Sequence, residues 1–207
     1  MKRALTTLSA MPCIALVSAA QTAYTPPAPG TMITWSYKFD DAVITKLSQV
    51  VATGEDFVIY DADLRYDTGQ AGDYLVEFSG LHAQACDRPL LSARDRAGLA
   101  ALWPLKEGAA TSVSGEAAAM YVVGRTDAVH FISNQSASNE VRQIYGTVGD
   151  GDNSLNISVS TAYGIPVQIT WNAGGYGQVL EIVEPQGSAD IDDFDPDALG
   201  YCAELVR

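Results

Sequence analysis

Alternation governs the first third of this sequence. From Thr31 to Ala85, β-branched and aromatic residues recur at every second position between clusters of turn-formers, a pattern that half-buried strands satisfy and helices do not. Thr31–Phe39 reads as a first strand. Asp40-Asp41 turns it into Ala42–Ala52, and Thr53-Gly54-Glu55-Asp56 turns the chain again into Phe57–Leu64. Gly69–Asp73 is a longer loop. Tyr74–Ala85 reads as one further strand, with Tyr74, Val76 and Phe78 on one face and Leu75, Glu77 and Ser79 on the other. Such short connections predict an up-and-down antiparallel meander.

The period changes between Pro89 and Gly108. Ser92, Asp95, Leu91, Leu99 and Leu102 fit a short helix with Ser92 as its N-cap and Pro104 as its stop. Strand patterns then return as Thr111–Glu116, Ala117–Arg125, Ala128–Ser133, Glu140–Val148, Ser154–Ala162, Pro166–Trp171 and Gly177–Val183. Asp150-Gly151-Asp152-Asn153 and Asn172-Ala173-Gly174-Gly175 supply hairpin turns. The fold class expected is mainly β. It is a curved antiparallel sheet, half-barrel or barrel with a sandwich as the alternative, and the short helix lies against it.

Trp103-Pro104-Leu105-Lys106 with Gly108, followed by Tyr163-Gly164-Ile165-Pro166-Val167 and Trp171, resembles uncharacterised periplasmic β proteins and, more distantly, the lipoprotein-carrier half-barrel. The resemblance covers residues 103–183 and brings no catalytic residues with it. It implies an envelope protein built on a curved sheet.

Compartment is read from the N-terminus and the cysteines. Lys2 and Arg3 precede an apolar run from Ala10 to Ala20, too short for a membrane span and ordered as a secretory leader. Ser18 and Ala20 place cleavage after Ala20, with cleavage after Ala23 as the alternative. Residues 1–20 are thus expected to be a signal peptide, 21–30 a Pro-rich linker and 31–207 a single β-rich domain. Cys13 leaves with the leader, and the Ala10-Met11-Pro12 before it is not the pattern of a lipid-anchored cysteine. That leaves Cys86 and Cys202 of the three cysteines, a pair that an oxidising compartment joins. The chain carries a net charge of −13 with only 12 Lys and Arg. It lacks the basic patch that nucleic acid or anionic lipid requires. No integral membrane segment is expected in the mature chain, and the oligomeric state stays open.

Few residues offer chemistry. The two histidines, His82 and His130, stand apart from any cysteine or acidic cluster in sequence. No metal and no cofactor is expected, because a metal site needs several convergent ligands. The weak calcium candidates are Asp150 and Asp152 with Asn153, and Asp190, Asp192 and Asp195 in a run that also holds Asp193 and Asp197. Neither has the Gly or the Glu of an EF-hand loop, so both read first as solvated acidic segments. Ten Tyr, five Phe and three Trp fill a β core or, where the sheet curves, line a concavity for an acyl chain or hydrophobic peptide. The reading is therefore a non-enzymatic exported envelope protein whose curved sheet takes an apolar or amphipathic ligand, with lipid as the partner class. A hydrolase using His82 or His130, and a structural or assembly protein, are the alternatives.

Overall fold

A computed structural model of the chain describes residues 23–62, 74–114, 118–124, 128–130, 139–148, 153–172, 174–186 and 196–207. The expected meander forms its first half: β1 (Met32–Phe39), β2 (Ala42–Thr53), β3 (Phe57–Ala62), β4 (Tyr74–Phe78) and β5 (His82–Ala85). Helix α1 (Ala93–Ala100) follows. The second half is β6 (Ala110–Val113), β7 (Ala119–Val123), β8 (Ala128–His130), β9 (Asn139–Val148), β10 (Asn153–Ser160), β11 (Pro166–Trp171) and β12 (Tyr176–Val183).

These strands make one antiparallel sheet in the order β5-β4-β3-β2-β1-β12-β11-β10-β9-β7-β6, with β8 sharing the β7 edge of β9. The chain starts in the middle of the sheet and works outward to β5. It crosses on α1 to the far edge and returns to the middle, where β12 pairs with β1 from Met32↔Val183 to Lys38↔Tyr176. The sheet is curved and unclosed. Its curl brings His82 of edge strand β5 within hydrogen-bond distance of Tyr121 in β7, next to the opposite edge.

One strand of the sequence reading is two. Tyr74–Ala85 breaks at Ser79-Gly80, where φ of 52° and 68° forms a left-handed pair, as primed hairpin turns require. Leu81 N–H closes the turn on Phe78 O at 3.0 Å. Gly80 also packs on Gly164, whose carbonyl a Cβ at position 80 would strike. The turn is invisible in the pattern because the alternation resumes in phase beyond it.

Ser92 caps α1 as expected. Its Oγ accepts from Asp95 N–H at 3.1 Å and donates to Asp95 Oδ2 at 2.8 Å, and Ser114 Oγ donates to the same oxygen at 2.9 Å. A second helical piece, a 3-10 helix at Pro196–Leu205, was not legible in the sequence. It breaks at Gly200, whose φ of 55° lets Tyr201 N–H reach Cys86 O at 2.9 Å. Cys86 and Cys202 form the expected disulfide across a separation of 116 residues.

Two apolar clusters hold the sheet. The first joins Phe57, Ile59, Val76 and Phe78 of β3 and β4 to Leu99 and Leu102 of the α1 region, Tyr121, Val123, Ile144 and Ile157 of the second half, and Leu199 and Cys202 of the 3-10 helix. The second joins Ile33, Trp35 and Tyr37 of β1 to Val50, Val58, Tyr60, Val167, Val179 and Ile182. Adjacent residues of β3 enter different clusters, Phe57 and Ile59 one, Val58 and Tyr60 the other, so β3 is buried on both faces. Residues 23–30 lie along this second cluster, with Pro27 and Gly30 buried and the Tyr24 ring 5.4 Å from that of Trp103.

Candidate functional site

Several of the aromatics expected either to fill a β core or to line a concavity lie in the core. Trp35, Tyr37 and Tyr60, aromatics that could have lined it, are buried within the second cluster, and the space between α1 and the sheet holds Leu99, Leu102 and Leu105. Burial of these side chains stabilises the fold at about 1.5 to 3 kcal/mol each.

An open groove of about 410 Å³ lies instead on the other face of the second half. In β7, Ala119, Tyr121 and Val123 turn inward, so Met120 and Val122 turn outward by strict alternation. Register extends that face across three more strands. Val122 pairs with Tyr145, Tyr145 with Asn156 and Asn156 with Thr170, while Met120 pairs with Thr147 and Thr147 with Ser154. Gly146, Leu155 and Asn172 complete the lining. Met120 and Tyr145 are about half exposed, at 50% and 52%. The Tyr145 ring lies over Gly124, where a Cβ would collide with it. None of the lining residues carries a charge, on a chain of net charge −13. The arrangement can hold an apolar body on Met120, Val122 and Tyr145 and hydrogen-bond a neutral polar group at its hydroxyls and amides.

His82 is placed away from this groove and inside the core. Its Nδ1 shares a 2.7 Å hydrogen bond with Tyr121 Oη, the two rings meeting edge to face at 6.0 Å, and Nε2 is buried without a partner. Burial pushes its pKa down to about 4, against a smaller upward pull from Asp95. Asp95 itself is held below the usual carboxylate range by the hydrogen bonds from Ser92 and Ser114. A histidine so enclosed, bonded to a phenol and to no serine or carboxylate, lacks the access and the orienting acid that a triad needs. The hydrolase reading therefore finds no support at His82. His130 sits in β8 opposite Asn139, and its side chain lies outside the described residues, as does that of Asn153.

Asp150, Asp152, Asp190, Asp192, Asp193 and Asp195 also lie outside the described residues, while Asp197 is exposed near the start of the 3-10 helix. Among the described residues no three His, Cys, Asp or Glu side chains converge as a metal would require, and no helix is long and apolar enough to cross a membrane.

One titratable group escaped the sequence reading. Glu77 is buried at 6% exposure, and Tyr60 Oη donates to its Oε1 at 3.3 Å. Burial raises its pKa to about 8, against a smaller downward pull from the Tyr60 bond. Tyr24 and Tyr60 are pushed well above the phenol range, first by burial and then by Glu77. A Glu alternating with buried apolar residues was the available signal; which face of β4 would be covered was not.

Neither a protein-family model nor a curated protein sequence matches the chain. Among solved structures it is similar to the hypothetical lipoprotein YmcC from Escherichia coli (K12), at 10% identity and a TM-score of 0.49, over 78% of this chain and 90% of that one. It is similar to MucB at 11% identity and a TM-score of 0.40, over 84% of this chain and 60% of that one. A third likeness, to PNGF-II at 8% identity and a TM-score of 0.40, covers 80% of this chain and 29% of that one, so this chain spans under a third of that protein. These are weak, distant likenesses in the course of the chain, and no residue's role is taken from them.

Proposed function

We propose that the protein is an exported envelope protein, without catalytic activity of its own, that binds an uncharged amphipathic ligand in the groove across β7, β9, β10 and β11. The observation carrying this reading is the make-up of the groove: apolar Met120, Val122 and Tyr145 beside neutral Thr147, Ser154, Asn156, Thr170 and Asn172. An ionic ligand would lose hydration there without gaining a counter-charge. A purely apolar ligand would cover the polar row without satisfying it. The lining offers hydroxyls but no histidine, carboxylate or lysine to activate one. Export is supported by the leader-like first 20 residues and by the Cys86–Cys202 bond, which forms and persists in oxidising compartments.

Two measurements test this. Intact mass of the protein recovered from periplasm or medium should begin near Gln21, and retention of Met1 to Ala20 would refute export. Calorimetric titration with tetraethylene glycol monooctyl ether, a neutral head on a short chain, should show saturable binding that Tyr145→Ala weakens at least several-fold. Binding of equal strength in the variant would remove the groove from the reading.

A further inference from the structure

Among the residues that line the groove, Met120 alone carries sulfur. It projects from β7 between the buried side chains of Ala119 and Tyr121 and stands 50% exposed. Of the other three methionines, Met1 and Met11 fall in the leader-like first 20 residues, and Met32 is less exposed than Met120. The register gives Met120 hydroxyl-bearing neighbours on both flanks. Ser112 of β6 pairs with it on one side and Thr147 of β9 on the other, with Ser154 of β10 beyond Thr147. Directly opposed side chains have Cβ atoms about 4.5 to 5.5 Å apart, so the tip of a flexible Met chain reaches the hydroxyls beside it. The thioether is thus an accessible apolar group set in a polar row.

We propose that Met120 is an oxidation site that switches the groove off: a hydroperoxide converts its thioether to the sulfoxide, and the sulfoxide expels the ligand. The switch rests on the ligand reading of the groove. A sulfur lone pair attacks the terminal peroxide oxygen, and the S–O bond forms as the O–O bond breaks. The proton of the transferred oxygen passes to the departing one, which leaves as water or an alcohol, and the electron pair that sulfur gives up is the one the peroxide accepts. The product is polar where the thioether was apolar. A hydrocarbon segment laid over it would strip water from the new oxygen without replacing the hydrogen bonds. The apolar support is then reduced to Val122 and Tyr145. The sulfoxide oxygen also accepts from the Thr147 hydroxyl next to it, occupying a donor that the ligand's polar head would use. The fold is spared, because half of the side chain is already in water and the buried face of β7 is untouched.

Brief treatment of the protein with hydrogen peroxide, followed by peptide mapping and by titration with tetraethylene glycol monooctyl ether, tests the switch. Mapping should find added oxygen on Met120 ahead of Met32. The oxidised protein should bind the ether at least several-fold more weakly than the same preparation before treatment. Met120→Leu cannot form a sulfoxide, so peroxide should leave its affinity, whatever that is, where it was. Oxygen on Met32 before Met120, equal affinity once Met120 is oxidised, or a peroxide-induced loss that persists in Met120→Leu would each overturn the switch and leave the groove reading standing. Absence of saturable binding before peroxide would instead remove the groove reading, and the switch with it.

Discussion

The two halves of the sheet are made of similar strands and put to different use. In the first half, the run Phe57-Val58-Ile59-Tyr60 is buried throughout, its alternate residues feeding two clusters, and β4 beside it buries even Glu77. In the second half, β7 reads Ala119-Met120-Tyr121-Val122-Val123 and divides cleanly, with Ala119, Tyr121 and Val123 buried and Met120 left half exposed above the groove. Apolar content alone does not separate these strands. What separates them is cover. Helix α1 and the 3-10 helix cover the inner face of both halves; the outer face is buried in β3 by the second cluster and in the second half at Val141, Ser158 and Ser160, and it stands open at Met120, Tyr145, Ser154 and Thr170. A sheet that is packed on both sides is a scaffold, and a sheet with one uncharged, part-apolar face in water is available to a ligand.

Substitutions can break or sharpen this contrast. The largest effect belongs to the crosslink. Replacing Cys86 and Cys202 together by Ser releases a closure of 116 residues, which in the chain-entropy account costs about 4 to 5 kcal/mol. Chemical denaturation should show the loss, and a change of under about 1 kcal/mol would mean that packing of the 3-10 helix alone holds it in place. Phe78→Ala comes next, because Phe78 is fully buried in the first cluster; truncating such a ring costs about 3 to 5 kcal/mol. If the same denaturation series gives a loss no larger than that of an exposed position, β4 is not the doubly covered strand described.

The third effect is a pH dependence. Glu77 has its folded-state pKa raised from 4.5 to about 8, so between those values the native state binds the proton that the unfolded state has lost. Stability from this group is therefore full below the lower value, falls as pH rises through the window and is flat above about pH 8. His82, with its pKa lowered to about 4, acts in the opposite sense, adding stability as pH rises from about 4 toward its ordinary value. The two are separated by comparing the unaltered protein with Glu77→Gln. The difference in melting temperature should move in favour of the variant from mildly acid to mildly alkaline pH, and a pH-independent difference would contradict the burial of Glu77. The smallest effect is expected at Tyr145→Ala in the groove. With half of its ring already in water, its removal should cost within about 0.5 to 1 kcal/mol while weakening ligand binding.

Strand positions were legible because alternation is a local property. From Thr31 to Tyr60 and again from Ala119 to Val183, the strands fall within a few residues of where the pattern put them, and the helix begins at the Ser92 cap that the sequence marks. The turn at Ser79-Gly80 and the 3-10 helix were not legible, since each is defined by a left-handed glycine and a distant partner: Gly164 for Gly80, Cys86 for Gly200. The groove escaped for a related reason. Met120 and Val122 stand in an apolar run that does not tell one face from the other, and only their registration beside Tyr145, Thr147, Asn156 and Thr170 shows the face they share. Register and cover are tertiary facts, and alternation says which residues share a face without saying what lies over it.

Binding at the open face is read most directly from the methyl resonance of Met120 during titration with tetraethylene glycol monooctyl ether below its micelle concentration. Met32, at the start of β1, provides the internal control. The Met120 methyl and the Tyr145 ring should shift together and saturably while the Met32 methyl stays where it is. Shifts at Met32 without Met120, or no shift at Met120 and Tyr145 at any concentration reached, would contradict a ligand site on β7 to β11.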